Sequence, residues 1–389
     1  MPESEKSFGD SFLGITDMLQ EAKEPTLWVV KDFIHEEATV ELHGPEHVGK
    51  TYVVLDLGLH IASPQHDSYH GFAIPKTRPV VYLASEGRKT MTKRLQSWLD
   101  FHGIDTPDFS PPTYEDLMSA EVGQVTVPIE HDRNVAAFYR FDLDGFYLDA
   151  KSTESRRMVA DLGRRLHAYG ALHGASPVLI VDVVSDFAPS VDENSREFGH
   201  ALSMLKASDL GIAATILVHH EGHTAHGRGR GHSSQQGMID IRIPIEIKTD
   251  NFDSPTISYI RVSQPKNRDE DKTPPFILVL RKPNEFSKPV IIGRPEGAGV
   301  EALLLKTWSG AFNGQDLTEL DRAILVVVLD AGENAEVTLT ELIESTNRKK
   351  STVASSRDKL IDKAYLVKGK TRGAVRITES GLNIIEDPA

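Results

Sequence analysis

The sequence predicts an α/β domain with a mostly parallel sheet, followed by a small domain of three helices and two strands. From about residue 27 to residue 283, short apolar runs rich in β-branched residues alternate with helix-length stretches. Proline, glycine and asparagine then concentrate in a stretch that indicates a linker, before the helices and strands of the second pattern begin. We therefore predict an N-terminal segment over residues 1–26, the α/β domain over 27–283, the linker over 284–314 and the second domain over 315–389.

The composition excludes several classes of protein. The 389 residues contain no cysteine, which rules out disulfides, iron–sulfur clusters, cysteine-based zinc sites and a thiol nucleophile. The formal charge of −14 repels phosphate, so any nucleic acid must meet a locally basic surface. No apolar run approaches the roughly 18 residues that span a bilayer, and the acidic start lacks the apolar region of a secretory signal. We expect a soluble, cytoplasmic protein without a membrane partner.

Six strands are predicted in the α/β domain, each as an apolar run bounded by polar or turn-forming residues. They cover Thr39–Leu42, Pro79–Ala84, Pro177–Val184, Ala213–His219, Ile257–Ser263 and Phe276–Arg281. Residues 104–150 hold four prolines and show no clear period, so we assign them no chemistry.

The first strand leads into a phosphate-binding sequence pattern. Eight residues fit G-x-x-x-x-G-K-[ST] ahead of the helical run Tyr52–Ala62: Gly44, Pro45, Glu46, His47, Val48, Gly49, Lys50 and Thr51. The glycines let backbone N–H groups wrap a β-phosphate, and the positive end of the helix points to the same place. In this pattern Lys50 reaches the β- and γ-phosphate oxygens of ATP, and Thr51 binds Mg²⁺. The alternative is a tight turn that binds no ligand.

Two later strands end in acidic residues. Glu86 follows the strand Pro79–Ala84, and Asp182 closes a run of four apolar residues. Ligands of α/β sheets lie at the carboxyl ends of the strands, so both carboxylates should face the nucleotide. Glu86 is then the general base for the attacking water, and Asp182 holds Mg²⁺ through water beside Thr51. Each acid alone is also compatible with a solvated strand end.

The strand Ala213–His219 runs into a second histidine and then into a polar, basic, glycine-rich loop. We interpret His220, or else His219, as the residue that senses the γ-phosphate. Arg228 and Arg230 alternate with glycine, which would let the loop lie against single-stranded nucleic acid in a central channel. A solvated surface loop is the alternative.

A metal site in this loop is disfavoured. Thr224 stands where H-E-x-x-H requires its second histidine, and the glycines leave no rigid helix to fix the imidazoles. The histidines considered are His219, His220, His223, His226 and His232.

Basic residues near the later strands are candidates for an arginine finger. Lys266 and Arg268 lie two residues apart on an extended segment, so their side chains point to one face. In a ring-shaped ATPase that face could reach the γ-phosphate held by the neighbouring subunit, with Arg268 as the finger and Lys266 as its companion. Arg242 is the rival finger, because it lies near the end of another predicted strand. An exposed basic turn is the alternative.

In their order and spacing, these segments resemble RecA-superfamily ATPases of the RepA-like plasmid and phage type, relatives of the DnaB-like hexameric helicases. The segments that carry the resemblance are Gly44–Thr51, Tyr82–Glu86, Leu179–Asp182, Asp192–Asn194, His219–His220 and Arg230–Ser234. The resemblance covers about residues 27–282 and implies a RecA-type core, ATP with Mg²⁺, and a ring, usually hexameric, that moves along single-stranded DNA. Lys266-Asn-Arg268 looks like the K-x-R segment of DnaB-type rings, whereas Arg242 falls nearer the finger position of the RepA-like group. His232 replaces a serine that is usual in this family.

The C-terminal segment resembles a winged helix. Its predicted elements are the helices Leu317–Asp330, Leu339–Ser345 and Ser351–Lys363 and the strands Tyr365–Lys368 and Ala374–Ile377. Residues 348–376 carry ten basic side chains against two acidic ones, a local charge of +8 in an acidic protein. The third helix could enter a major groove while the turn between the strands meets phosphates. The residues expected to contact DNA are Lys349, Lys350, Arg357, Lys370 and Arg372. The alternative is a protein-docking module.

Together these patterns predict an ATP-hydrolysing DNA helicase or translocase for the replication of a plasmid, phage or mobile element, working as a ring-shaped homo-oligomer. Mg²⁺, Lys50 and an arginine of the next subunit would neutralise the charge that develops on the γ-phosphate. Two alternatives stay open: an ATP-switched, site-specific DNA-binding protein such as an initiator or regulator, and a filament-forming recombination mediator without helicase activity.

Overall fold

The computed structural model of the chain describes most residues between 23 and 378. The described residues are 15, 19, 23–85, 88–104, 137–141, 145–193, 195–220, 237–250, 257–284, 287–295, 301, 317–332, 335–362, 365–371 and 373–378. Among the helices of these residues, none combines the length and the apolar composition that crossing a bilayer requires.

Strands and helices are numbered in chain order. The strands are β1 (Trp28–Val30), β2 (Ile34–His35), β3 (Ala38–Gly44), β4 (Ser68–Tyr69), β5 (Phe72–Ala73), β6 (Val80–Ala84), β7 (Phe138–Phe141), β8 (Val178–Asp182), β9 (Ala214–His220), β10 (Ile241–Asp250), β11 (Ile257–Val262), β12 (Lys266–Asn267), β13 (Phe276–Arg281), β14 (Val290–Gly293), β15 (Leu366–Lys368) and β16 (Val375–Ile377). The α-helices are α1 (Lys50–Ala62), α2 (Arg88–His102), α3 (Thr153–His173), α4 (Arg196–Ser203), α5 (Ala207–Leu210), α6 (Glu319–Asp330), α7 (Leu339–Thr346) and α8 (Lys350–Asp362).

A ten-stranded sheet organises the chain. Its strands lie in the order β14-β13-β11-β10-β3-β9-β8-β6-β7, and β12 pairs with β10 beside this path. The pairs from β10 to β7 are parallel, whereas the pairs from β10 to β14 are antiparallel. Parallel strands need crossover connections, which α1, α2 and α3 supply. The predicted α/β fold with a mostly parallel sheet is confirmed.

Two apolar cores cover the two faces of the parallel strands. Val40 and Leu42 of β3 belong to one core together with α1 and α2. Leu179 of β8 and Leu217 of β9 belong to the other, together with α3 and α4. Strands that are buried on both faces require nearly continuous apolar sequences, which is the pattern that made these strands visible in the sequence.

All six predicted strands are present, with ends that agree within two residues. Among the additional strands, two strands of the large sheet lie in segments that the sequence analysis had assigned to no strand or to the linker. β7 comes from the proline-containing segment 104–150, and β14 comes from the range assigned to the linker. Val290 and Ile291 of β14 are buried, and Ile291 pairs with Leu280 of β13. The sheet therefore extends beyond residue 283.

The C-terminal unit contains the three helices and two strands that the sequence predicts, in the same order. Thr318 and Thr338 begin α6 and α7 as N-caps, each with a capping box completed by Asp321 or Glu341. The three helices and the hairpin β15–β16 enclose a separate apolar core.

Candidate functional site

The phosphate-binding pattern forms the turn between β3 and α1. Gly49, the N-cap of α1, has a φ of +90°, a left-handed conformation that side chains rarely adopt. A Cβ at Gly44 would lie 2.6 Å from the carbonyl oxygen of Ile245, so the neighbouring strand β10 leaves room only for glycine. The first N–H groups of α1 lack helical partners and lie in this turn. The two glycines therefore set the backbone of a turn that is suited to an anion.

Lys50 is held inside this turn. It is buried, with 6% of its surface exposed. Its Nζ donates hydrogen bonds to the carbonyl oxygens of Gly44, at 2.8 Å, and Pro45, at 2.6 Å. Such partners are what keeps a buried ammonium stable. A phosphate in the turn would offer charged oxygens in place of these neutral carbonyls, and charge-assisted hydrogen bonds are the stronger kind.

Asp182 ends β8 and is buried. Its Oδ2 accepts a hydrogen bond from the Tyr82 hydroxyl. Burial raises the pKa of Asp182, although hydrogen bonds from Tyr82 and Thr51 and the nearby charges of Arg94 and Lys50 act in the opposite direction. Within the described residues, the Oδ1 atom of Asp182 has no hydrogen-bond partner.

This donor set fits a magnesium ion. Mg²⁺ prefers oxygen ligands and usually binds through one or two protein groups together with water and phosphate. The unpartnered Oδ1 atom of Asp182 and the neighbouring Thr51 hydroxyl are ligands of this kind. These two residues would hold the ion, which would supply positive charge to the phosphate oxygens.

Lys50, Thr51, Tyr82 and Asp182 line one cleft of about 740 Å³ at the carboxyl ends of β3, β6, β8 and β9. Ser85 and Asp186 also line the cleft, and the Ser85 hydroxyl donates to Asp186 Oδ2 at 2.6 Å. Arg94 and Tyr52 line the cleft as well, and the guanidinium of Arg94 lies 4.6 Å from the centre of the Tyr52 ring. A cleft of this volume is typical of a small-molecule or cofactor site. Its cations and carboxylates suit a nucleotide with a metal ion.

The two histidines at the end of β9 lie on opposite faces of the sheet, as strand alternation requires. His220 is opposite Gly44 in the parallel register and lines the cleft. His219 is buried on the other face, where its ring stacks on Phe198 and its Nδ1 lies 3.3 Å from Glu41 Oε1. Of the two predicted phosphate sensors, His220 is the one that the structure brings to the cleft.

Arg242 forms an ion pair with Glu41 of its own chain. Its Nε donates to Glu41 Oε2 at 2.6 Å. Burial raises the pKa of Glu41, but the hydrogen bond with His219 and the charges of His43, Arg242 and His219 outweigh it and lower the pKa to about 2. Glu41 is therefore a buried carboxylate that stays ionised and binds Arg242 to β3.

Lys266 and Arg268 turn to the same side, as their spacing predicts. Both donate a hydrogen bond to the carbonyl oxygen of Ile239, and Arg268 also forms an ion pair with Asp240 at 2.6 Å. Neither residue lines the cleft of its own chain. Burial, together with the charges of Arg268 and Arg242, lowers the pKa of Lys266.

Comparison with known proteins decides the family. Residues 11–226 match the AAA domain family, AAA_25, a range that spans more than half of the chain and includes the phosphate-binding turn and Asp182. The chain belongs to the AAA domain family. It is a P-loop ATPase. The family match ends before β10, so the antiparallel end of the sheet and the C-terminal unit lie outside it.

Other comparisons add less. No curated protein matches this AAA-domain ATPase. Among solved structures, a KaiC-like protein from the hyperthermophilic archaeon Pyrococcus horikoshii OT3 is similar, with 15% sequence identity and a TM-score of 0.39 over 69% of this chain and 99% of that chain.

Some predicted residues of the AAA-domain ATPase cannot be placed, because they lie outside the described part of the chain. They are Glu86, Arg228, Arg230 and Arg372, together with His223, His226 and His232 of the glycine-rich loop. Of the remaining predicted DNA contacts, Lys349, Lys350 and Lys370 are exposed. Arg357 instead forms an ion pair with Asp358 at 2.7 Å and donates to a carbonyl of the hairpin turn.

Sequence reasoning gave no role to several residues of the cleft, among them Tyr82, Arg94 and Ser85. Tyr82 carries the one hydroxyl in the apolar strand β6, and that hydroxyl was the available signal. Arg94 is one of several cations in α2, and no spacing distinguishes it from the others. Ser85 follows β6 directly, but the sequence analysis assigned the role at this strand end to the next residue, Glu86.

Proposed function

We propose that this AAA-domain ATPase is an Mg²⁺-dependent DNA translocase of the helicase class, with a RecA-type core of the RepA-like kind, that works as a ring-shaped oligomer. One observation carries the proposal: Lys50, Thr51, Asp182 and His220, from three different segments of the chain, line a single cleft at one edge of the sheet. The family membership supports ATP hydrolysis in this cleft. The DNA substrate and the ring rest on the further arguments below.

In the proposed reaction, water attacks the γ-phosphate directly. Lys50 neutralises the phosphate oxygens, and Thr51 and Asp182 hold the metal ion. Glu86, which follows Ser85 of the cleft wall in sequence, is proposed as the base that orients the water. His220 is proposed to report the presence of the γ-phosphate to the glycine-rich loop that follows it. Arg268 or Arg242 of a neighbouring subunit is proposed to complete the charge neutralisation.

The C-terminal unit supports DNA as the partner. Lys349 and Lys350 are exposed at the start of α8, and Lys368 and Lys370 are exposed on the hairpin beside it. A groove of about 590 Å³ lies between α8 and this hairpin. In helix-turn-helix proteins the N-terminal residues of the recognition helix contact base edges, and lysines around such a helix bind phosphates. We therefore propose a winged-helix unit that contacts duplex DNA through this surface.

The same surface also favours a second candidate. An ATP-switched, site-specific DNA-binding protein would use the groove beside α8 to select duplex sequence, while the ATPase domain controls assembly. A recombination mediator that forms filaments is a third possibility, and particle shape in negative-stain images distinguishes a filament from a ring.

The deciding experiment measures ATP hydrolysis and strand displacement on a forked duplex, with and without single-stranded DNA. For a translocase we expect single-stranded DNA to stimulate hydrolysis, and Lys50→Ala to abolish both hydrolysis and unwinding. Deletion of residues 222–232 should abolish unwinding but leave basal hydrolysis. If single-stranded DNA does not change the rate of ATP hydrolysis and duplex binding depends on the DNA sequence, the protein is instead the ATP-switched, site-specific DNA-binding protein. If Lys50→Ala hydrolyses ATP as well as the wild type does, the nucleotide site itself is wrongly assigned.

A salt titration of DNA binding tests the C-terminal surface separately. Each lost phosphate contact lowers the slope of log K against log salt concentration by about 0.9 for duplex DNA. Replacement of Lys349, Lys350 and Lys370 by alanine in the full chain should therefore reduce the slope by up to about 2.7. An unchanged slope would remove these lysines from the DNA interface.

The matched control replaces three exposed lysines of the ATPase domain, Lys31, Lys151 and Lys272. This variant carries the same change in net charge. It should keep the wild-type slope, because only local contacts release counterions from DNA.

A further inference from the structure

Four histidines and one aspartate gather at the end of α1 that is remote from the nucleotide cleft. Asp56 and His60 lie one turn apart on α1, His66 lies in the connection to β4, His70 lies between β4 and β5, and His102 ends α2. Lys50 and His60 are ten residues apart on one helix, which corresponds to a rise of about 15 Å. The cluster is therefore separate from the phosphate-binding turn, and none of its members lines the nucleotide cleft.

The polar atoms of the cluster lie within reach of a single ion. His70 Nε2 is 2.7 Å from Asp56 Oδ2, and His60 Nδ1 is 3.4 Å from Asp56 Oδ1. One donor atom from each of Asp56, His60 and His70 lies within 4.8 Å of the others. Asp56 and His60 are both buried. Two side chains at i and i+4 on one helix face are an arrangement that metal sites often use.

The imidazole rings are also spaced as metal ligands are. The ring centre of His60 lies 4.5 Å from that of His66, 5.0 Å from that of His70 and 5.4 Å from that of His102. The rings of His66 and His102 are 4.9 Å apart. Two imidazoles on one tetrahedral zinc ion, with Zn–N bonds of about 2.0–2.1 Å, have ring centres about 5 Å apart.

An ion pair alone accounts for only part of the cluster. Asp56 accepts hydrogen bonds from His70 and from Trp98 Nε1, so a buried carboxylate partnered by neighbouring donors explains Asp56, His60 and His70. It does not explain why two more imidazoles lie against them. The Nε2 atoms of His66 and His102 are buried and have no hydrogen-bond partner among the described residues. Buried polar atoms of this kind call for a ligand.

We propose that Asp56, His60 and His70, completed by His66 or His102, bind one divalent transition-metal ion of the zinc class. Imidazole and carboxylate ligands without sulfur suit Zn²⁺, and Co²⁺ reports on the same geometry. Four protein ligands would close the site, so its role is structural: the ion ties α1 to the β4–β5 hairpin, and with His102 as the fourth ligand it also ties α1 to the end of α2. The proposal does not depend on the substrate of the ATPase.

The test uses tag-free, full-length protein stripped with a chelator and then titrated with Zn²⁺ by calorimetry. We expect one ion per chain from the cluster, a higher Tm with zinc, and d–d absorption bands of a four-coordinate site when Co²⁺ replaces zinc. His70→Gln should weaken binding, and so should one of His66→Gln and His102→Gln, whichever removes the fourth ligand; all three change partly exposed positions. For a lost ligand such as His70 the loss should be at least about tenfold.

A control variant separates this cluster from the histidines of the glycine-rich loop. In the triple variant His223→Gln, His226→Gln and His232→Gln, the tight site and its cobalt spectrum should persist. If this triple variant loses the site while His70→Gln keeps it, the loop is the binding site and the proposal is wrong. If the wild-type protein binds no zinc, the cluster is a hydrogen-bonded ion pair only. Circular dichroism of the variants distinguishes a lost ligand from a lost fold.

Discussion

Gly44→Ala is the sharpest test of how the phosphate-binding turn is built. The added Cβ would lie 2.6 Å from the carbonyl oxygen of Ile245, 3.1 Å from Val48 Cγ2 and 3.2 Å from Ile245 Cγ1. Backbone atoms cannot rotate away as a side chain can, so β3 and β10 would have to separate by about 0.4 Å to reach even the 3.0 Å limit of real contacts. Overpacking of this kind costs about 1–3 kcal/mol.

Gly163→Ala is the matched control for this substitution. Gly163 lies inside α3, and a Cβ there would meet Leu210 Cδ2 at 3.7 Å, an ordinary contact. Alanine is favoured over glycine in a helix by about 0.8–1.0 kcal/mol. The same chemical change should therefore destabilise the protein at Gly44 and stabilise it at Gly163.

Urea unfolding measures the two free energies of unfolding, and steady-state kinetics measures ATP turnover. We expect the two variants to differ by about 2–4 kcal/mol in the free energy of unfolding. Turnover should fall by about tenfold or more in Gly44→Ala, because small displacements of positioning groups are costly to catalysis. Wild-type stability and wild-type turnover in Gly44→Ala together would refute the close packing of β3 against β10.

Three further substitutions test single interactions of the site. Thr51→Ala should raise the Mg²⁺ concentration that gives half-maximal ATP turnover, whereas Thr51→Ser should not, and equal requirements would argue against Thr51 as a ligand. Tyr82→Phe removes a hydrogen bond that lowers the pKa of Asp182, so the acidic limb of the pH–rate profile should move to higher pH; an unmoved limb would contradict this. Glu41→Gln leaves Arg242 without its partner and should cost about 3–5 kcal/mol at pH 7 by urea unfolding. Because the pKa of Glu41 is lowered from 4.5 to about 2, the stabilisation is complete above pH 4.5 and is lost toward pH 2, so the gap between wild type and variant should narrow over that range.

The sequence made the parallel strands predictable because burial on both faces forces apolar residues into continuous runs. β14 was not predicted because its surroundings lack such a continuous apolar run. Its surroundings contain the prolines and glycines of a linker, and it is a strand only because Ile291 pairs with Leu280 of β13. That pairing partner lies outside any local window. β7 was hidden in the same way within a segment that contains four prolines.

The nucleotide site was predictable where a fixed spacing encodes its geometry. The eight residues of the turn and the strand-end Asp182 are patterns of this kind, and Asp182 and five of the eight turn residues line one cleft. Arg94 was not predictable, because its place in the cleft depends on how α2 packs against α1 rather than on any spacing. Neighbouring residues of a strand point to opposite faces of the sheet, so only one of His219 and His220 can face the cleft. The register between β9 and β3, which the sequence does not reveal, decides that it is His220.

The histidine cluster shows that a high density of histidines along the chain does not indicate where histidines meet in the fold. Five histidines crowd into residues 219–232, yet the cluster that the structure assembles is drawn from residues 56–102, where histidines are sparse. Within α1, Asp56 and His60 interrupt an otherwise apolar helix, which was the available signal. Buried polar residues in such a helix must find partners, and here they find them in β4–β5 and α2.

Helix α1 thus carries a phosphate-binding turn at its N-terminus and the proposed metal ligands in its last turns. Both placements agree with the helix macrodipole, which favours anions at the N-terminus and cations near the C-terminus. The two ends are about 15 Å apart, so the groups at one end do not contact those at the other. What joins them is the packing of one buried helix between the sheet and its neighbours. Lys50 and Thr51 keep their positions only as long as this helix does, and a metal ion that ties its far end to the β4–β5 hairpin would hold the nucleotide cleft in place without taking part in its chemistry.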